Sequence, residues 1–162
     1  MNGLTLRTRA DKIGSVCLPF GFGPTLNVQP DPECREGSAI VCRVLSERSV
    51  YGDLELVSGR TARLIPGNII VGVLGNRAAL RGFSGRVPEA IQHGETLHLL
   101  NMGGVIGKSE GLMVGLGEPI RLEVLGTPLL KGMPARLSDW ALPDPYPTNS
   151  QPAVIAVAGT CM

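Results

Sequence analysis

The chain has 162 residues, 43% of them hydrophobic, so it can bury the core of a folded domain and lacks the composition of a disordered protein. Its 15 basic and 14 acidic residues leave a net charge of +1, which gives no electrostatic case for a nucleic-acid or anionic-membrane partner. The 22 glycines and 13 prolines favour many short elements joined by turns over long helices.

The first half of the chain is predicted to form short strands. Leu4 and Leu6 alternate with polar neighbours, as in a half-buried strand. Residues 38–46 are rich in β-branched side chains, and two shorter strands are predicted over residues 53–57 and 61–65.

The strand predictions continue in the second half. Residues 69–74 are apolar on both faces, which is typical of a central strand. Another strand is expected over residues 96–100, and residues 120–126 alternate cleanly between apolar and charged side chains. Helix signals are limited to residues 76–82 and 88–94, each about two turns long and closed by glycine. The pattern predicts a mostly β fold: a small antiparallel-rich barrel or sandwich with one or two short helices.

The composition divides the chain into three parts. Residues 1–130 are expected to form the β-rich domain. Residues 131–152 carry five prolines and are predicted to be a semi-rigid, poorly packed linker. Trp140, the only tryptophan, is expected to anchor this linker to the barrel. Residues 153–162 follow as the start of a further α/β domain.

The last ten residues carry the one resemblance to a known family. A strand-like run, residues 154–158, is apolar on both faces and leads into Gly159, Thr160, Cys161 and Met162. This arrangement resembles the first strand and the opening of a Walker A loop in P-loop NTPases, in the branch of dethiobiotin synthetase and cobyric acid synthase. The Gly-Lys-Ser/Thr half of the motif is absent, so the resemblance implies a loop truncated at residue 162.

The resemblance implies a role for the rest of the chain. Residues 1–130 would be an accessory domain of a larger protein that uses ATP or GTP with magnesium. The domain itself would hold no cofactor and catalyse nothing, since the lysine and the magnesium-binding hydroxyl of the loop are missing. Its role would be binding, regulation or contact between copies in a homo-oligomer, and its partner would be the missing C-terminal NTPase domain.

An alternative function rests on an internal glycine-rich loop. Gly103, Gly104, Gly107, Lys108 and Ser109 resemble a phosphate loop in spacing. Met102 stands where the first glycine of the motif belongs, and the glycines and proline from 111 to 119 disfavour the helix that should follow. The segment is therefore expected to be a turn between strands, and Lys108 is predicted not to bind phosphate. In the alternative, the chain is a complete β-barrel that binds a small molecule or phosphate ligand through these glycine-rich loops.

The sequence contains three further groups of residues that could form sites. His93 and His98 are separated by an odd number of residues, so one strand would place them on opposite faces, which disfavours a metal site. Arg77, Arg81 and Arg86 could line an anion site together with a nearby asparagine, although a solvated rim is the preferred interpretation. The four cysteines have no paired spacing typical of zinc or disulfide frameworks.

The expected compartment is the cytoplasm. The first 30 residues show no charged segment followed by a continuous apolar stretch, so no signal peptide is predicted. No apolar run of 18 residues is present, so no transmembrane helix is predicted either.

Overall fold

The computed structural model describes residues 4–111 and 115–142, and the regular elements of this part are short strands and two 3₁₀ helices. The helices are η1 (Ser15–Phe20) and η2 (Leu137–Trp140). The strands are β1 (Leu6–Arg9), β2 (Lys12–Ile13), β3 (Thr25–Gln29), β4 (Ala39–Val44), β5 (Asp53–Glu55), β6 (Thr61–Arg63), β7 (Ile69–Leu74), β8 (Gly85–Arg86), β9 (Thr96–Leu99), β10 (Val105–Ser109), β11 (Arg121–Leu130) and β12 (Met133–Pro134).

Five of these strands close a barrel. Strand β4 pairs antiparallel with β11 on one side and with β7 on the other. Strand β7 pairs parallel with β10, which pairs antiparallel with β9. Strand β9 then returns to β11 and completes the ring. The prediction of a small, mostly β, antiparallel-rich barrel is confirmed, and the β7–β10 contact adds one parallel pair to the ring.

Strands β4 and β7 are apolar on both faces because they separate two cores. Ile70 and Leu74 of β7 point into the barrel, whereas Val71 and Val73 pack in a second cluster outside it. Strand β4 alternates in the same way, and all six residues of β7 are buried or half-buried. The prediction that residues 69–74 form a central strand is confirmed.

Strand β11 shows the alternation expected from its sequence. Leu122 and Val124 are fully buried in the barrel, while Glu123 faces outward and accepts a hydrogen bond from Arg43 Nη1 at 2.7 Å. The register against β4 shifts between Val124 and Gly126, where φ is 138°. This bulge lets β11 leave the barrel and continue beside β3.

The second core is covered by the N-terminal elements and by the chain after β11. Strand β3 extends the sheet from β11, and β1 extends it from β3. Strand β12 folds back on β11 as a hairpin. Ala135 is 1% exposed, and its carbonyl accepts a hydrogen bond from the Ala39 amide at 2.9 Å.

The described start of the predicted linker is therefore packed on the β domain. Trp140 lies edge-on to Phe20 with ring centroids 5.1 Å apart, so the anchoring role predicted for it is confirmed. Residues 131–142 thus differ from the poorly packed chain expected there. The remainder of the predicted linker, residues 143–152, lies outside the described residues, as does the predicted strand of residues 153–162.

The two predicted helical segments are wrong. Residues 76–82 form an irregular loop, in which the Arg77 amide and carbonyl pair with Gly85 at 2.8 and 2.9 Å. Residues 88–94 are also irregular, and Ile91 is inserted into the barrel core. A helix of two turns has little stability unless tertiary contacts support it. In both segments the tertiary contacts stabilise irregular, non-helical chain instead.

Strand β1 is more exposed than a half-buried strand. Leu6 is 43% exposed, and Leu4, just before the strand, is 70% exposed. The reason is position, because β1 is at the end of the sheet and pairs only with β3 among the described strands. Alternation in the sequence indicates a strand but does not show how well its inner face is covered.

Candidate functional site

A cleft at one end of the barrel brings together aromatic and polar side chains from distant parts of the chain. We call it the Phe83 cleft. It has a volume of about 210 Å³ and is lined by Tyr51, Arg77, Gly82, Phe83 and residues 99–102. Its walls come from the loop before β5, the loop between β7 and β8, and the turn between β9 and β10.

The loop that carries Tyr51 is fixed by an arginine. The Arg63 guanidinium donates hydrogen bonds to the carbonyls of Arg48 and, at 3.3 Å, of Ser49. The same group lies 3.5 Å from the carboxylate of Asp53. Tyr51 has a φ of 56°, an unusual backbone conformation for a bulky residue. Such strain persists only where the surroundings impose it, and it is concentrated at functional positions.

The loop that carries Phe83 is fixed by a second arginine. Arg77 Nη1 donates hydrogen bonds to the carbonyls of Phe83 at 2.7 Å and of Leu100 at 3.0 Å. The Arg77 backbone pairs with Gly85, the first residue of β8. One guanidinium thus joins the loop between β7 and β8 to the end of β9.

Arg48 supports the aromatic wall from outside the cleft. Its guanidinium carbon lies 4.7 Å from the centroid of the Phe83 ring, and the group also donates a hydrogen bond to the carbonyl of Leu116. Burial lowers the pKa of this guanidinium, which stays protonated at neutral pH. The rings of Tyr51 and Phe83 lie 6.5 Å apart at 74°, an edge-to-face arrangement.

Arg77 and Asn101 bring hydrogen-bond donors to the cleft, and the Tyr51 hydroxyl can donate or accept. Asn101 Oδ1 accepts a hydrogen bond from the Val105 amide at 3.0 Å, so the oxygen of this side chain is used within the turn between β9 and β10. Within the described part of the chain, no hydrogen bond is made by Asn101 Nδ2. The same holds there for Nε and Nη2 of Arg77.

The internal glycine-rich loop is divided between a turn and a strand. The carbonyls of Gly103 and Gly104 accept hydrogen bonds at 3.0 Å from the amides of Val16 and Val73, so this turn is built into the barrel. Gly107, Lys108 and Ser109 belong to β10. The structure therefore does not bring the five residues together as one loop, and residues 110, 111 and 115–120 are not helical.

The two ends of this segment lie at different clefts. The turn at Gly103 follows Met102 of the Phe83 cleft, whereas Ser109 lines a second, more open cleft of about 380 Å³. Lys108 is exposed on β10 beside it. The other residues that line the second cleft are His98, Gly111, Glu118, Pro119 and Arg121.

The second cleft holds a serine and a histidine without the geometry of a nucleophile and its base. His98 Nδ1 accepts the backbone amide hydrogen of Ser109 at 3.2 Å, while the Ser109 hydroxyl donates to the carbonyl of Gly111 at 3.2 Å. Burial lowers the pKa of His98, and nearby Arg121 and Lys108 lower it further against the opposing effect of Glu118. The imidazole is thus neutral at pH 7 and acts as an acceptor.

The arginine group noted in the sequence is not assembled as one site. Arg77 Nη1 donates hydrogen bonds to the carbonyls of Phe83 and Leu100. Arg86 Nε lies 3.2 Å from the carboxylate of Glu110. Asn76 donates to the carboxylate of Glu36 at 2.9 Å. These contacts fit the solvated-rim interpretation for Arg86 and make Arg77 a structural element of the cleft.

Within residues 4–111 and 115–142, no group of three or more His, Cys, Asp or Glu side chains is placed to hold a metal ion. His93 Nδ1 lies 3.1 Å from the carbonyl of Leu125, away from His98 at the second cleft. In the same part of the chain, no helix is long and apolar enough to cross a membrane.

The Phe83 cleft was not predicted from the sequence. Its lining comes from three segments. For two of them the sequence predicts a helix over residues 76–82 and a strand over residues 96–100, and Arg77 stands out only as part of an arginine-rich group. Gly159, Thr160, Cys161 and Met162 lie outside the described residues. Comparisons with protein-family models, with curated proteins and with solved structures found no match.

Proposed function

We propose that this chain forms a non-catalytic binding domain, and that the Phe83 cleft is where it binds a small molecule. The observation that carries the proposal is the fixing of both aromatic walls. Arg63 holds the Tyr51 loop and Arg77 holds the Phe83 loop, each through backbone carbonyls. A site whose walls are ordered before binding pays less entropy when the ligand arrives.

The chemistry of the cleft supports binding over catalysis. Its polar side chains are those of Arg77, Asn101 and Tyr51. Among the described residues, those that line the cleft include no His, Asp, Glu, Lys or Cys, the side chains that most often transfer protons in catalysis. Arg77 and Asn101 can orient a ligand by donating hydrogen bonds, and the Tyr51 hydroxyl can donate or accept one.

The proposal is tested by nuclear magnetic resonance on the full chain with three single-ring probes: phenol, benzamide and benzoate. At least one probe is expected to shift the signals of Tyr51, Phe83 and Asn101. Phe83→Leu keeps an apolar side chain but removes the ring, and it is expected to weaken binding about tenfold. His98→Ala in the second cleft is the matched control and should leave binding unchanged. Absence of shifts with all three probes would contradict the proposal.

A second candidate function is carried by the residues that resemble a Walker A loop. In this proposal the domain is an accessory or regulatory part of a nucleotide-dependent protein whose phosphate loop begins at Gly159, with ATP or GTP and magnesium as its ligands. The apolar run of residues 154–158 and the Gly-Thr that follows it support the proposal.

The coding sequence after codon 162 tests this second candidate. It is expected to encode one further residue and then Gly-Lys-Ser or Gly-Lys-Thr. The longer protein should then bind ATP or GTP in the presence of magnesium. A stop codon, or any other residues at these positions, would overturn this candidate and leave the Phe83 cleft proposal untouched.

A further inference from the structure

We infer that the ligand of the Phe83 cleft is a small planar carboxylate, built on a single aromatic ring. This inference rests on the proposed binding function of the cleft and adds the chemical class of the ligand. Three properties of the cleft carry it: its size and shape, the kind of hydrogen bond it offers, and the sign of its charge.

The size and shape of the cleft suit one ring. An engineered apolar cavity of about 150 Å³ holds benzene, so a cleft of about 210 Å³ has room for one ring with a short substituent. Tyr51 is 44% exposed and its ring stands at 74° to that of Phe83, which is 3% exposed at the base of the cleft. A flat ligand can therefore stack on Tyr51 and meet Phe83 at the base. Met102 is half-buried and provides apolar surface beside these rings, while Leu99 and Leu100 are buried beneath it.

The cleft offers hydrogen-bond donors to its ligand. Arg77 has N–H groups beyond the one nitrogen that binds the Phe83 and Leu100 carbonyls. Asn101 uses its oxygen for the Val105 amide and keeps its NH₂ group. A ligand that satisfies these donors must present acceptor atoms, and a carboxylate presents two in one plane.

The charge around the cleft favours an anion. Arg77 lies in the cleft wall, and the Arg48 guanidinium stacks on Phe83. The carboxylate of Asp53 is paired with Arg63 and is therefore partly neutralised. The positive potential of two guanidiniums in a partly apolar site attracts a negatively charged ligand more than its neutral isostere.

The test compares benzoate with two matched probes in titrations of the full chain followed by nuclear magnetic resonance. Benzamide keeps the flat ring and removes the charge, and cyclohexanecarboxylate keeps the charge and removes the flat ring. Benzoate is expected to bind about tenfold more tightly than either one, with shifts at Tyr51, Phe83 and the Asn101 NH₂ group.

Asn101→Asp supplies the matched variant. Aspartate still accepts the Val105 amide hydrogen, so the turn is retained, but it removes the NH₂ donors and adds a negative charge. Benzoate binding should fall at least about tenfold, while benzamide binding changes by less than about threefold. A spectrum that matches the wild type away from the cleft verifies the fold of the variant.

The outcomes separate the inference from the function on which it rests. If benzamide binds at Tyr51 and Phe83 as tightly as benzoate, or if Asn101→Asp leaves benzoate binding intact, the carboxylate assignment is wrong while the binding function stands. If none of the probes shifts the cleft signals, the inference and the proposed function both fail.

Discussion

Gly72 shows how tightly single residues constrain this barrel. It lies in β7, where a Cβ atom would stand 2.3 Å from the carbonyl oxygen of Gly104 and 2.6 Å from Cδ1 of Ile106. The first of these is backbone and accepts the amide hydrogen of Val73, so it cannot move without breaking the contact between β7 and the turn before β10. A side chain at Gly72 must therefore push two strands apart.

We expect Gly72→Ala to destabilise the protein by about 2 kcal/mol, the usual cost of overpacking a close-packed interior. Urea unfolding followed by circular dichroism measures the change in free energy of unfolding. Gly23→Ala is the matched control, since a Cβ atom there meets nothing within 4 Å. Equal stability of the two variants would show that β7 and the turn at Gly104 are not packed as described.

Glu33 is the centre of a polar cluster that fastens the chain after β12. Arg136 Nε donates to both carboxylate oxygens of Glu33 at 2.8 and 2.9 Å, and the buried Ser38 hydroxyl donates to one of them at 2.8 Å. The hydrogen bond from Arg136 is the main reason that the pKa of Glu33 lies below its ordinary value. The cluster joins residue 136 to a loop about a hundred positions earlier.

The lowered pKa of Glu33 predicts a particular dependence of stability on pH. Because the folded state holds the ionised form, the stabilisation is present above the unfolded pKa of 4.5 and is lost as the pH falls through the lower folded value. Glu33→Gln should lower the melting temperature at pH 7 by about 3 °C and flatten its decline between about pH 5 and pH 3.

Thermal melts of both proteins across this pH range measure the effect. Glu110→Gln serves as the control, because Glu110 pairs with Arg86 on an exposed surface, where such pairs contribute little. Parallel declines of the wild type and Glu33→Gln would contradict the role given to Glu33.

At the scale of elements, strands with strong patterns were predictable and loops were not. The two-sided apolar run of β7 and the alternation of β11 indicated a central and a half-exposed strand, and both predictions are confirmed. Residues 76–82 and 88–94 have helix-forming composition but are held as loops by contacts that their sequence does not reveal. Arg77 is the clearest case, since its partners are Phe83, Gly85 and Leu100.

Composition also failed to predict how the chain after β11 packs. Its prolines predicted a poorly packed linker, but Met133–Pro134 pairs with β11 and Ala135 fills the second core. A proline at the end of a short edge strand needs no ladder partner for its nitrogen, so Pro134 is compatible with this pairing. Of the five prolines behind the prediction, Pro134 is the one within the described residues, so the packing seen here corrects the prediction for residues 131–142 alone.

Trp140 provides a test of this packing. It is 41% exposed and meets Phe20 edge-on, so Trp140→Leu should lower the free energy of unfolding by about 1 kcal/mol through loss of the aromatic pair. Leu142→Ala is the control, because Leu142 is 91% exposed and its truncation should have little effect. Urea unfolding of both variants measures the difference, and an unchanged Trp140→Leu would mean that η2 does not stabilise the domain.

At the scale of the whole molecule, the fold class could be predicted from the sequence, but the strand pairing that closes the barrel could not. Short strands with turn signals indicated a small β-barrel, and that is the fold. The parallel pairing of β7 with β10 joins strands about 35 residues apart, and local patterns carry no information about such a pairing.

The candidate site depends on this closure. The barrel brings the loops of Tyr51 and Phe83 against the end of β9, and two arginines fix them there. Glycine-rich motifs stand out in a sequence because the residues that define them are close together along the chain. The cleft instead takes its chemistry from side chains that only the folded barrel brings together, so no motif could have identified it.

The most direct test of the account is the position of a bound probe. With the isotope-labelled full chain and saturating benzoate, nuclear Overhauser effects between protein and ligand report which side chains lie within about 5 Å of the ring protons. The account predicts contacts from benzoate to the rings of Tyr51 and Phe83 and to the methyl group of Met102. Contacts to His98 and Pro119 of the second cleft, or none at all, would contradict it.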